Sequence, residues 1–526
     1  MSPAAIYNGN HGWDRIKKQN LTLSGYAQYY KDFAKIHHFD IMGGYEWQHF
    51  WREQKNSYWG AYPSTNLEKP GQYHDWSMYN FKTENYLVSF FGRLNYILAE
   101  RYYLTATLRD DGSSRFKDHW SLFPSAALAW KISEEKPLKD LGWLSDLKLR
   151  LSYGKTGQQE LPSNIGDYPY FAIYGMNTGV GSYYNVSADG TLARPEAYNP
   201  ELKWETTDTY NVGLDFGFLN QRITIGIDAY YRKTTDLLNI ADVAAGSNFK
   251  NSVISNIGSM ENKGIEVTLG LKPIQTDDWY WTIDYNFTYN HNEITELVGD
   301  DPNYFVPTGG IGGGTGVNAQ AHAVGHPMRS YYVYQQVYDT NGKPIEGLVV
   351  DRNGDGTITE ADKYFYKRPF APVTMGLSSR LEYKSWDLGF TLRANIGNYV
   401  FNNLMSGNVN MSAGEIYSSG NNFFGNRPVD ALDYNWQTYD LEAKLSDHWV
   451  QNGSFLKCDN ITLGYSFADL LKCGNYKGIS GRIYATASNV FCITKYKGID
   501  PEVFEGIDNN LYPRPISFIL GLNLNF

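Results

Sequence analysis

Apolar and polar residues alternate with a period of two along much of the chain. Tyr210, Val212, Leu214, Phe216 and Phe218 are separated by Asn211, Gly213, Asp215 and Gly217. Ile223, Ile225, Ile227 and Ala229 repeat the pattern against Thr224, Gly226 and Asp228. Ile265, Val267, Leu269 and Leu271 oppose Glu266, Thr268 and Gly270, and Trp279, Trp281, Ile283, Tyr285, Phe287 and Tyr289 oppose Thr282, Asp284, Asn286 and Thr288. The chain closes with Ile516, Phe518, Leu520, Leu522, Leu524 and Phe526 on one face. Successive side chains of a strand point to opposite faces, so each run predicts a strand with one apolar and one polar side. A half-buried soluble strand would give the same pattern. Length and number discriminate: about 15 such segments can be counted, most near the roughly 9–11 residues of a tilted membrane strand, about twice the usual soluble length.

The connections add an independent signal, because they alternate short and long. Asp32–Ile36, the turn at Glu100, Leu219–Arg222, Lys272–Asp278 and Lys384–Ser385 are short. Asn56–Thr83, Gly112–His119, Gly154–Lys203, Asn292–Pro372 and Asn398–Asn452 are long. Outer-membrane barrels have this asymmetry, with tight periplasmic turns and long extracellular loops. The link Ser133–Asp146 is too long for a tight turn and is expected to hold a helical turn. Residues 292–371 are too many to be structureless, so ordered loop structure is expected there.

Composition fits an all-β reading. Of 526 residues only 19% are charged, 16% are aromatic, 43 are Tyr and 51 are Gly. No run of about 20 apolar residues exists, which excludes a helical membrane protein. The net charge of −10 offers no basic stripe for nucleic acid. Cys458, Cys473 and Cys492 are too few and too scattered for a disulfide framework or a metal site. The N-terminus, MSPAAIYNGNHGW, lacks the charged and then apolar stretch of a secretory signal.

One motif points to an ion. In DRNGDGTITEAD, Asp351, Asn353 and Asp355 hold positions 1, 3 and 5 of a calcium loop, Thr357 supplies a carbonyl at 7, and Asp362 stands at 12. A structural Ca²⁺ in an extracellular loop is expected, although Asp362 is shorter than the usual Glu and no helix pair flanks it. The alternative is a solvated Asn-Gly turn. The run GGIGGGTG, Gly309–Gly316, fits neither phosphate-binding pattern and reads as a mobile loop. His37 and His38 are adjacent on a strand and point to opposite faces, so they cannot readily share a metal. No GxSxG, Cys–His or HExxH arrangement is present, and no catalytic residue is assigned: the chain is not expected to be an enzyme. Trp51, Tyr58, Trp59, Tyr73 and Trp76, and Tyr168, Tyr170, Tyr174, Tyr183 and Tyr184, form two aromatic clusters that could stack on sugar rings or pack loops.

The stretches NIGSMENKGIEVTL (Asn256–Leu269), RYYLTATLRDDGSSRF, FPSAALAWKISEE, LSDLKLRLSYGKTGQQ and NPELKWETTDTYNVGLDFGFLNQRIT resemble, in order, segments of the SusC-like TonB-dependent outer-membrane transporters. SFLKCDNITLGYSF, SNVFCITKYKGIDPEV and YPRPISFILGLNLNF extend the resemblance to the C-terminus. Similar acidic loops occur in that family. The resemblance implies an antiparallel transmembrane β-barrel of about 22 strands in the outer membrane, a plug, a TonB-contacting segment and a SusD-like surface lipoprotein as lid. It also implies uptake of a small oligomeric nutrient, an oligosaccharide or a peptide. The terminal strand ending in Phe526 looks like the signal read by the outer-membrane assembly machinery. No plug, TonB box or signal peptide is recognisable, so residues 1–526 are expected to be the C-terminal part of the barrel, about 15 strands of the 22. With an odd count the chain alone would leave an edge unpaired in lipid, unless a strand has been overlooked and a smaller barrel closes. A passive porin and a secreted all-β carbohydrate-binding protein are the competing readings.

Overall fold

The computed structural model describes residues 10–61, 73–162, 166–172, 174–177, 184–185, 192–195, 197–242, 252–297, 304–311, 317–409, 429–434, 436–437, 441–470, 478–509 and 512–525, with the backbone alone at stretches such as 57–61 and 73–80. Its principal element is one antiparallel sheet of 15 strands whose order is the chain order. The strands are β1 Asn10–Phe33, β2 His37–Ala61, β3 Tyr73–Leu98, β4 Tyr102–Ser113, β5 Trp120–Lys131 and β6 Leu144–Gln158. They continue as β7 Glu205–Phe218, β8 Ile223–Thr235, β9 Ser259–Gln275, β10 Trp279–Glu296 and β11 Val373–Tyr383. The last are β12 Trp386–Ile396, β13 Phe455–Leu470, β14 Ile479–Thr494 and β15 Ser517–Asn525. The expected strand number and the alternation of short and long connections are both present. No helix among the described residues is long and apolar enough to cross a membrane. The link after β5 does hold the expected helical turn, Lys136–Lys139.

One length differs from expectation. Asn56–Thr83 reads as a long loop, yet β2 and β3 stay paired from Asn56↔Tyr79 out to Ala61↔Tyr73. β1 stays paired with β2 along the same stretch, out to Asn10↔Gly60, so three strands run on together, and beyond the lipid water can satisfy the outer edges.

Contacts divide the chain into two compact units, residues 1–128, 152–209 and 234–258 in the first and 129–151, 210–233 and 259–526 in the second. In the first, Ile41, Tyr45, Phe90, Leu108, Trp120 and Leu122 project from one face and are exposed. A small core of Phe116, Phe123, Leu202, Trp204 and Ile254 holds the loop ends of this unit together. Asn256 clamps it: its Oδ1 accepts from the Lys203 N–H at 2.8 Å, while Nδ2 donates to the carbonyls of Lys203 and Asp236. Its place in the NIGSMENKG stretch is thereby explained.

The second unit shows the same sorting. Val212, Ile227, Ile265, Leu388, Leu463, Ile483 and Leu520 are exposed, the last at 80%. Water would penalise this surface by roughly 25 cal/mol per Å², whereas lipid removes the penalty. Aromatic residues bracket the apolar stretch. Toward the short turns, Trp279 lies 4.2 Å from Tyr383 and Trp386 lies 4.8 Å from Tyr465 between ring centroids. Toward the long connections stand Tyr210, its ring tilted against Tyr231 at 6.4 Å, and Tyr289. At about 3.4 Å per residue and a tilt of about 40°, the run from Trp279 to Tyr289 spans roughly 26 Å of membrane depth, against an apolar band of about 25 Å.

The long excursion after β10 is ordered, as expected. Strands Phe305–Gly310, Asn318–Ala323, Ser330–Val333 and Tyr364–Phe365 form one small sheet, and Gln336–Tyr338 pairs with Pro344–Val349. Their core is fully dry: Tyr331, Val333, Phe401, Leu445 and Trp449 are inaccessible to solvent to within 1%. Tyr331 donates its buried hydroxyl toward the carbonyls of Tyr399 and Gly506 at 2.8 and 2.7 Å. His448 lies between the hydroxyls of Tyr338 and Tyr434, and burial lowers its pKa to about 4. These connections are therefore packed structure with their own hydrophobic core.

Candidate functional site

The face opposite the apolar one carries charge. In the second unit, Arg150 of β6 donates two bonds of 2.8 Å to Asp215 of β7 and two more of 2.8 Å to Asp228 of β8. Gly213 makes room for this triad, since a Cβ there would fall on the guanidinium and on Asp228. The arrangement recurs further along. Arg482 of β14 binds Asp387 of β12 through two nitrogens, and Gly464 of β13 lies beneath them. A third network joins the wall to the connection after β14: Arg393 and Lys457 both reach Glu502, and Lys457 also holds Asp500 at 2.7 Å. With Arg393 as the main cause, the Glu502 carboxyl is pulled down to about 2. In the first unit, Arg109 binds Asp111 at 2.7 Å, Glu46 at 3.2 Å and Ser89 at 2.7 Å.

Paired charges of this kind are costly in hydrocarbon and tolerable beside water. The two faces of the strands are thus matched to two solvents. The ion pairs make this face polar.

Within the first unit lies a cavity of about 460 Å³. Phe50, Phe81, Arg52, Asn85, Arg115 and Asp167 are among its lining residues. Asp167 is fixed by the Thr83 hydroxyl, by Asn85 and by Arg115, the last two at 3.2 Å. Arg115 also binds Glu160 at 3.1 Å. Both Arg52 and Arg115 bury an Nε–H that no protein atom accepts. These Nε atoms have no exposed surface, so contact with a solute falls to the other polar atoms of the lining. Apolar rings beside guanidinium and amide groups suit a solute that has both apolar faces and oxygen atoms.

The calcium-type residues do come together, with a different division of labour. Asp351 accepts from the N–H groups of Gly354 and Gly356 at 2.7 and 2.8 Å, and Asp355 accepts from that of Thr357. Asn353 Oδ1 accepts from the Asp355 N–H. Asp362 is wholly buried and accepts from the N–H groups of Arg352, Asn353 and Thr359, the Thr359 bond doing most to lower its pKa. Gly354 and Gly356 sit at φ +73° and +83°, the left-handed region the turn requires. Among the described residues no three His, Cys, Asp or Glu side chains converge well enough to hold a metal on their own.

The remaining candidates resolve individually. His37 meets the Tyr96 hydroxyl at 2.8 Å and His38 meets Asp32 at 2.6 Å, so the two histidines part as expected. Gly309 and Gly310 are the end of a strand and not a mobile loop, while residues 312–316 lie outside those described. Cys458 is buried and Cys492 exposed, each a free thiol. Of the aromatic clusters, Tyr168 donates to the Glu84 carbonyl at 2.7 Å and Tyr170 packs on Phe171 at 4.4 Å, so both serve the loop itself. Trp51 lines the cavity. The side chains of Tyr58, Trp59, Tyr73, Trp76, Tyr174, Tyr183 and Tyr184, together with Cys473 and Phe526, lie outside those described.

Comparison with known proteins now bears on this geometry. The family model for the TonB dependent receptor-like β-barrel matches residues 4–398. The chain belongs to the TonB-dependent receptor-like β-barrel family. Such receptor barrels reside in the outer membrane, which is the location the apolar face requires. The chain is similar to the TonB-dependent receptor SusC of Bacteroides thetaiotaomicron, 48% identical over all of this chain and 52% of that protein. It is 30% identical to the TonB-dependent receptor P3 of Formosa agariphila, over 96% of this chain and 52% of that one. The chain therefore spans about half the length of these relatives. Its fold is that of a chain in the structure of the RagAB peptide transporter, with a TM-score of 0.79 at 24% identity over 98% of this chain and 56% of that chain.

For this TonB-dependent receptor barrel, the charged face makes a steric prediction. Gly464→Val drives a branched side chain into the Arg482–Asp387 pair and should lower stability by about 1–3 kcal/mol. The temperature at which the folded form loses its fast gel migration reads the change. Wild-type behaviour would mean that the pair does not occupy that space.

Proposed function

We propose that the chain forms wall strands and extracellular loops of a TonB-dependent importer that carries an oligosaccharide or peptide nutrient across the outer membrane. The observation that carries this reading is the likeness to the receptor SusC along all of the chain, on a wall that is apolar outside and ion-paired inside. Residues 1–526 act as barrel and not as an enzyme. Solute reaches the loop cavity first, where the Arg52 and Arg115 guanidinium groups offer positive charge and Phe50 and Phe81 offer apolar surface. A SusD-like surface lipoprotein closes over the loops, TonB supplies the energy through a plug, and the outer-membrane assembly machinery takes the terminal strand ending in Phe526.

Uptake of labelled oligosaccharides and of peptides by cells with and without the gene tests this directly. One of the two classes should depend on the gene and stop when a protonophore is added. Arg52→Gln with Arg115→Gln should cut that uptake about tenfold or more, the cost of losing charge-assisted bonds. Uptake indifferent to the protonophore would establish a passive porin instead.

The loop Asp351–Asp362 is proposed in addition to take a structural Ca²⁺. Asp351 and Asp362 both accept backbone N–H groups of this one loop, and a divalent cation would take the oxygen lone pairs that remain. Asn353, Asp355 and the Thr357 carbonyl are the further oxygens. Calorimetric titration of chelator-treated protein should give one site, lost in Asp355→Ala. An identical titration in that variant would refute the site.

A further inference from the structure

A second cavity, of about 310 Å³, lies in the second unit where the excursion returns to the wall, and its lining is aromatic and cationic. Its walls are the rings of His326 and Phe365, stacked at 4.2 Å, with Tyr366 and Tyr399. Lys367 and Arg368 line it, and no Asp or Glu does. The Lys367 ammonium stands over Tyr366 at 5.0 Å and over Tyr399 at 5.2 Å, positions that hold a cation without neutralising it.

Position on the wall gives the cavity its meaning. Tyr289, His291 and Glu293 follow one another on a single face of β10, whose pairing with β9 stays in register through them. Tyr289 belongs to the exposed aromatic ring that ends the apolar band. The His326 carbonyl accepts from the N–H of Ile294, the residue after Glu293 on β10, at 3.0 Å, and Gly397 of the lining directly follows the exposed Ile396 of β12. The cavity therefore sits on the lipid-facing side, just beyond the aromatic ring, at the depth of the outer-leaflet headgroups. Arg and Lys are the residues that recognise phosphate oxygens, and basic pockets at this depth bind anionic lipid heads.

We propose that this cavity binds the phosphate-bearing headgroup of an outer-leaflet glycolipid. Lys367 and Arg368 contact the phosphate, and the Tyr366 and Tyr399 rings flank the adjoining sugar. The site is separate from the solute cavity and serves anchorage of the excursion to the leaflet.

The test uses the protein purified from the outer membrane, stripped of lipid in detergent and titrated with diphosphorylated lipid A, followed by native mass spectrometry. One glycolipid should be retained by the wild type, at least about tenfold more weakly by Lys367→Gln with Arg368→Gln. Lys384→Gln, near Tyr383 at the turn end, should bind as the wild type does. Fully dephosphorylated lipid A should bind the unaltered protein at least about tenfold more weakly than the diphosphorylated form, a comparison that stands even if the double variant does not fold. Equal retention of the two lipids, equal loss in Lys384→Gln, or displacement by millimolar inorganic phosphate would overturn the proposal, the last by showing a site for free phosphate.

Discussion

Hydrocarbon cannot hydrogen-bond, and the rest of the molecule follows from that. A chain crossing it must pair its backbone N–H and C=O groups within the protein, and in the antiparallel ladder of 15 strands every strand between the first and the last does so with two neighbours. The same medium sorts the side chains. Apolar residues that would be buried in a soluble sheet stand exposed on one face, and Arg, Asp and Glu pair on the other. Reversing the register of a strand by one residue would put Arg150 or Asp387 into lipid, so the alternation also fixes pairing.

The ion pairs of the inner face are better understood as permitted than as stabilising. Arg150, Arg393 and Arg482 are each about one-third exposed, so water screens them and each pair contributes little net free energy. Their effect is to cancel charge along the wall while leaving it wet. The loop regions obey ordinary globular rules instead. Trp449, Tyr331 and Phe401 build a dry core there, and the outer rim is accordingly a set of packed surfaces against which cavities can be shaped.

Strand number, strand faces and the order of short and long connections were legible because each rests on local periodicity. Turn chemistry was not. The tight turns at Ala34–Lys35 and Ala99–Glu100 take positive φ without any glycine, so they show only as gaps between alternating runs. The β2–β3 ribbon was shortened in the reading because alternation does not report where lipid ends. Glycines such as Gly213 and Gly464 read as generic strand residues, and their reason lies in an arginine on another strand. The cavity of the first unit joins Arg52, Arg115 and Asp167 from three distant segments, a meeting that no spacing encodes. The acidic loop was found by spacing, yet the role of Asp362 as a clamp on three backbone N–H groups needed coordinates.

Everything returns to which way the side chains of one strand face. Single cysteines placed at Ile283, Asp284, Tyr285, Asn286, Phe287 and Thr288 of β10, spin-labelled in bilayers, would measure this directly through collision with oxygen and with a water-soluble nickel chelate. The account predicts strict alternation, with labels at 283, 285 and 287 meeting oxygen and those at 284, 286 and 288 meeting nickel. Labels that all meet the same reagent would contradict it.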